Sequence, residues 1–157
     1  LVGSEMCIRD SILSEGEKVC KKASELILQP QSDIRKVREY LREHQYKIVD
    51  EDMVCEDGKY YPMMRAINVE EDCFWEKVNE ETKVACDIYG QLLLRNGNQV
   101  LRRFLVRQHR QLTQIIQTLQ AQPQSEAIDQ RIAQVREELH YNESAYTILG
   151  AIKNAGI

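Results

Sequence analysis

Residues 24–69 read SELILQPQSDIRKVREYLREHQYKIVDEDMVCEDGKYYPMMRAINV, and the order of patterns along this stretch decides the fold class. Leu26, Ile27 and Leu28 form a short apolar run closed by Gln29-Pro30, which predicts a buried strand over 24–29. Ser32 or Asp33 can cap the helix that follows, DIRKVREYLREH, in which Ile34, Val37, Tyr40 and Leu41 recur at helical spacing. Tyr46–Cys55 and Lys59–Val69 are then two strand-like segments separated by Glu56-Asp57-Gly58. Asp-Gly predicts an antiparallel hairpin, because the turn needs positive φ at its centre and Gly adopts it without steric cost. Pro62 removes one ladder donor and predicts an edge or a bulge nearby.

Upstream, Ile12–Lys22 (ILSEGEKVCKK) reads as a polar helix. The first eleven residues, LVGSEMCIRDS, lack the basic-then-apolar order of an export signal. They resemble a translated sequencing-adapter read-through, so natural sequence is expected to begin near Ile12 and Cys7 and Arg9 carry no native chemistry. Downstream, residues 70–97 are acidic and then irregular, with Asp87-Ile88-Tyr89-Gly90 and Arg95-Asn96-Gly97-Asn98 as turn material. A domain boundary is expected here, dividing 12–90 from 91–157. Beyond it, Leu101, Leu105, Gln108, Leu112, Ile115 and Leu119 alternate steps of four and three, a coiled-coil seam with one polar interruption. After Gln122-Pro123-Gln124, Ser125 can cap a second helix whose seam runs through Ile128, Ile132, Val135, Leu139, Asn142, Tyr146 and Leu149. Two amphipathic helices joined by a Pro-containing turn predict an antiparallel helical hairpin.

The chain has 157 residues, 43% hydrophobic and 29% charged, enough for one ordinary domain and a small appendage. No apolar run approaches a membrane span. Cys7, Cys20, Cys55, Cys73 and Cys86 have no zinc-like spacing, so a reduced, cytoplasmic setting and no metal site are expected. His44, His109 and His140 are far apart in sequence and read as surface or helix-end residues. No G-x-S-x-G, P-loop or G-x-G-x-x-G motif is present.

Charge is unevenly divided. Residues 1–90 carry 13 Lys+Arg against 20 Asp+Glu, whereas residues 91–157 carry 8 against 5. Within 91–122 there are five arginines, Arg95, Arg102, Arg103, Arg107 and Arg110, and no acid. With Leu105 at heptad position a, Arg102 falls at e, Arg103 and Arg110 at f and Arg107 at c, so none lies in the seam and all are free to meet phosphate. Gln111, Gln114 and Gln117 lie among them. A basic segment in an acidic chain points to an anionic partner, nucleic acid above all; a solvated helix face is the competing reading. Asp50-Glu51-Asp52 could supply a base, but alternation puts Asp50 and Asp52 on the solvent face, which favours a solvated acidic edge. Gln29 stands at the carboxyl end of a strand, where open α/β sheets bind ligands; equally it could satisfy the turn that follows.

The succession LILQP, DIRKVREYLREHQYKIVDE, EDGKYY, DIYGQLLLRNGN and the terminal helical hairpin resembles the bacterial tRNA (adenine(22)-N(1))-methyltransferase family, TrmK, from about Ile12 to the end. The resemblance implies an α/β fold: the C-terminal half of a Rossmann-like class I methyltransferase sheet over 12–90, then a coiled-coil hairpin over 91–157 that helps hold tRNA. It implies that N1 of an extruded adenine attacks the methyl group of S-adenosylmethionine, with the protein positioning both and stabilising charge on the base. Gln29 and Pro30 match the family's Gln-Pro loop beside the target base, Gln29 hydrogen bonding to the adenine edge and Pro30 shaping the pocket. Arg95, Arg102, Arg103, Arg107 and Arg110 are the expected tRNA contacts. The family's cofactor segments precede the region that matches, so no residue here is assigned to S-adenosylmethionine. The polypeptide as written is expected to be a monomer, inactive alone, with an unpaired edge on its first strand. A competing reading makes it a non-catalytic RNA- or protein-binding module. A third makes Leu112, Ile115 and Leu119 an oligomerisation seam.

Overall fold

The computed structural model describes residues 24–69, 78–149 and 151. The expected helix at 12–22 and the eleven residues before it lie outside these. Strand β1 (Glu25–Leu28), helix α1 (Ile34–Glu43) and strands β2 (Tyr46–Glu56) and β3 (Lys59–Asn68) follow in the order the opening stretch predicts. Gln29 and Pro30 fall just beyond the β1 ladder. Asp33 occupies the N-cap position of α1 at φ 50° but makes no side-chain cap; its carboxylate pairs with Lys36 at 3.3 Å instead.

The sheet order is β1-β3-β2, with both pairings antiparallel. Asp57 (φ 49°) and Gly58 (φ 74°) close a two-residue turn between the paired Glu56 and Lys59, the geometry for which Asp-Gly is selected. Strand β1 covers only Met64–Ile67 of β3. Pro62 therefore lies where β3 has β2 as its one neighbour among the described residues, and the lost donor falls on a local edge. The bulge lies elsewhere, where the register slips between Ile48 and Asp50. It changes which alternate residues face inward: Tyr46 is buried before it, and Glu51 and Met53 are buried after it. Asp50 and Asp52 are exposed as expected, but Glu51 between them is buried, so the acidic run is not simply a solvated edge.

Residues 80–89 and 91–95 are helical, which corrects the irregular segment expected there, while the turn expected over Arg95–Asn98 is present at Asn96 and Gly97. Helix α2 (Glu80–Tyr89) is capped by Asn79, whose Oδ1 accepts from the Thr82 amide, and Glu80 and Glu81 sit favourably in its first turn. Its inward face is Ala85, Cys86 and Tyr89. The turn reading of Asp87–Gly90 survives only at Gly90, which has φ 99° and joins α2 to the short α3 (Gln91–Arg95). Asn98 then caps α4 (Gln99–Gln120), and Ser125 caps α5 (Glu126–Ile148) as predicted.

Two apolar clusters hold these elements. Val37, Leu41, Tyr46, Met64 and Ala66 seat α1 on the sheet. Met53, Cys86, Tyr89, Leu93, Leu94, Leu101, Leu105, Ala145 and Leu149 join the far end of the β-hairpin to all four later helices, so this cluster draws on both sides of residue 90. Each fully buried leucine contributes on the order of 2 kcal/mol. The helical seam departs from expectation at two places. Ile115 is 38% exposed, and Tyr146 is 45% exposed while Ala145 takes the buried position.

Candidate nucleic-acid interface

Helix α4 carries the basic surface. Arg103, Arg107 and Arg110 are exposed and Arg102 is half-buried. Arg102, Arg103, Arg107 and Arg110 line one open depression of about 520 Å³ together with Val106, Gln111 and Tyr146, and among the described residues no acidic side chain lines it. Arg95, exposed at the end of α3, is not among its lining residues. Arg107 departs from the expectation of an arginine free for phosphate: its Nη1 donates to the Gly58 carbonyl at 2.8 Å, and its guanidinium lies 5.9 Å from the Tyr60 ring centroid. It thereby clasps the β-hairpin turn to α4. Arg102 lies over the Tyr146 ring at 5.6 Å, within cation–π range.

The packing of α2 and α3 against α1 and β2 is set by a buried charge network. Arg38 (3% exposed) donates through Nε and Nη2 to Glu51 Oε1 at 2.9 and 2.8 Å. Its Nη1 donates to the Asp87 and Ile88 carbonyls at 3.1 and 2.9 Å, groups left open where α2 ends. Glu51 Oε2 accepts from the Leu92 amide at 3.1 Å, in the first turn of α3. A cation thus meets a helix C-terminus and an anion a helix N-terminus, each on the favourable side of the dipole. Arg42 donates to Asp87 Oδ2 at 2.7 Å. Burial nevertheless holds the Asp87 carboxyl above its ordinary range, because the hydrogen bond and charge of Arg42 offset only part of the desolvation.

The polar interruption of the helical seam also has a reason. Gln108 Oε1 accepts from the Tyr89 hydroxyl at 2.9 Å and from Asn142 Nδ2 at 2.8 Å, while Asn142 also donates to the Leu105 carbonyl. This layer ties α2, α4 and α5 at one height. Desolvation pushes the Tyr89 hydroxyl up to about 12.

Gln29 is exposed and Pro30 buried at the carboxyl end of β1, and neither lines the arginine depression. The cavity enclosed beside the sheet is too small for S-adenosylmethionine. The space enclosed beside the sheet, bounded by Arg38, Tyr46, Cys86, Asp87 and Gln91, is about 10 Å³, room for one water. Among the described residues no group of three or more His, Cys, Asp or Glu is placed to hold a metal, and no helix is long and apolar enough to cross a membrane. His44 caps the end of α1 and stacks on Tyr40; His109 and His140 meet Glu143 and Glu81 at 3.2 Å.

Reading the sequence missed Arg38, Glu51, Asp87 and the outward Tyr146. For Arg38 a signal existed, since it follows Ile34 by four and precedes Leu41 by three and so shares their face. For Glu51 and Asp87 none did, because their burial depends on partners far along the chain.

A model of the tRNA (adenine(22)-N(1))-methyltransferase family, TrmK, matches residues 3–144. Among solved structures, the M1A22 tRNA methyltransferase TrmK of B. subtilis aligns at TM-score 0.73 and 21% identity, covering 92% of this chain and 60% of its own. TrmK of M. capricolum, solved with S-adenosyl-homocysteine, aligns at 0.67 and 17%, covering 88% and 56%. A protein of the NADB-Rossmann superfamily from Streptococcus agalactiae aligns at 0.66 and 16%, covering 92% and 57%. Likeness at these identities shows the fold: the sheet and its helices are part of a Rossmann-like α/β architecture. The chain spans 60% of the length of the B. subtilis protein. No curated protein sequence matches it.

Proposed function

The chain belongs to the tRNA (adenine(22)-N(1))-methyltransferase family, and from that membership we propose that it serves S-adenosylmethionine-dependent methylation of adenine N1 in tRNA. We assign residues 12–90 to the C-terminal part of the methyltransferase domain and residues 91–157 to the tRNA-binding part, whose α4 and α5 make the helical hairpin. It works in the cytoplasm as a monomer. The M. capricolum relative supports the cofactor assignment through its bound S-adenosyl-homocysteine. S-adenosylmethionine, when bound, supplies the methyl group. This chain's own part is to bind and orient the RNA. Gln29, exposed at the strand end, offers an amide that both donates and accepts toward an adenine edge, and the buried Pro30 makes the wall behind it rigid.

The observation that carries the reading is the acid-free depression under Arg102, Arg103, Arg107 and Arg110. Arg95 extends the same charge from α3. In water such a patch gains by releasing the counterions condensed on phosphate, so each contact leaves a mark in the salt dependence. The double change Arg103→Ala, Arg110→Ala is expected to weaken tRNA binding and make the slope of log K against log salt shallower by about two. An unchanged slope removes the assignment. In a form of the enzyme that carries the cofactor-binding segments and is active, Gln29→Ala is expected to lower methyl transfer while tRNA affinity stays nearly constant; equal losses in both would make Gln29 structural.

A further inference from the structure

Tyr146 stands apart from the rest of the helical seam. Ala145 packs inward in its place, and its ring stays 45% exposed on α5, facing α4 across the groove. Arg102 covers part of the ring at 5.6 Å. Tyr146 and Arg110 are shared by two depressions, the basic one of about 520 Å³ and another of about 410 Å³ lined by His109, Asn142, Thr147 and the acidic Glu143, which pairs with His109. Both volumes lie in the range of about 300–1,000 Å³ typical of small-ligand sites. An exposed aromatic ring, backed by a guanidinium and flanked by arginines with no opposing acid in the larger depression, has the makeup of a base-stacking surface.

We propose that Tyr146 is a stacking platform for an unpaired RNA nucleotide, with Arg102 extending the platform and Arg103 and Arg110 taking the adjoining phosphates. This rests on the RNA reading of the α4 surface. It adds that the RNA presents an unstacked base there, since a continuous duplex keeps its base faces covered and offers only backbone and groove edges.

The test titrates the full chain with a short labelled oligouridylate and with a blunt-ended RNA duplex. Tyr146→Ala is expected to weaken oligouridylate binding about tenfold, to change duplex binding less than twofold, and to leave both salt slopes as they were. Tyr146→Phe and Tyr146→Trp, which keep a ring, are expected to bind the oligouridylate at least within twofold of the parent. The proposal is overturned if Tyr146→Ala alters neither RNA, if it weakens both equally, or if the Phe and Trp variants lose as much as Ala. The pair Arg103→Ala, Arg110→Ala reports separately on the underlying reading: it should flatten the salt slope for both RNAs. No flattening there removes the RNA interface itself, whereas flattening without a Tyr146 effect removes only the stacking role.

Discussion

Glu51 shows how one side chain can set the arrangement of several elements. It sits in an acidic run, yet its carboxylate has no exposed surface and spends both oxygens on Arg38 and the Leu92 amide. Removing one partner of such a pair strands the other in a low-dielectric setting, which costs far more than the pair itself is worth. Glu51→Ala is therefore expected to lower stability by about 3–5 kcal/mol, read as a shift in the urea midpoint. Replacing both Arg38 and Glu51 with apolar residues of similar size should cost much less than the sum of the single changes. Equal or additive losses would mean that the ion pair is not the origin of the effect. Gly90 belongs to the same geometry: at φ 99° a Cβ there would stand 2.6 Å from the Glu51 carboxylate oxygens, so only glycine fits.

At the scale of elements, the helical hairpin is held in register by its polar layer. An all-apolar seam of alternating fours and threes could slide by a heptad at little cost, but Asn142 and Gln108 satisfy each other and Tyr89 at one height only. Asn142→Ala is expected to cost about 1–3 kcal/mol, because the buried Leu105 carbonyl and the half-buried Gln108 oxygen each lose a donor. The companion change Tyr89→Phe should cost less in the Asn142→Ala background than alone, a coupling that a double-mutant cycle in urea would measure. Strict additivity would show that the three groups do not act as one layer. The same scale explains the bulge in β2. Without the extra residue, continued alternation from Tyr46 would turn Asp50 and Asp52 into the core and Glu51 out of it.

For the molecule as a whole, the second apolar cluster couples sheet and helices, and two of its members are titratable. Burial pushes the Cys86 thiol from 9.0 up to about 12, with the nearby Asp87 and Glu51 carboxylates adding to the shift. Tyr89 rises from 10.0 to about 12, mainly by desolvation. Both groups stay neutral in the fold while the unfolded chain ionises first, so the stability they contribute is complete below pH 9 and drains away as pH rises toward 12. The urea midpoint should accordingly fall across that window, with circular dichroism of the helices and of the aromatic region moving together, because the cluster spans both parts. A flat midpoint, or helices melting apart from the aromatic signal, would contradict this coupling. Cys86→Ala should make the fall shallower.

The order strand, helix, β-hairpin and helical hairpin was legible in the amino-acid sequence because its signals are local: apolar period, Asp-Gly at a turn, Ser125 at a cap. The basic character of α4 was legible for the same reason, since charge composition needs no partner to be counted. Tertiary structure alone decided that β3 lies between β1 and β2, that Arg38, Glu51 and Asp87 are buried, that Arg107 is tied to Gly58, and that Ala145 rather than Tyr146 turns inward. Each of these depends on groups brought together from distant parts of the chain, with Arg38 meeting Glu51 thirteen residues on and the Asp87 carbonyl forty-nine residues on. Burial and partnership are properties of that three-dimensional neighbourhood, and no window along the sequence contains it.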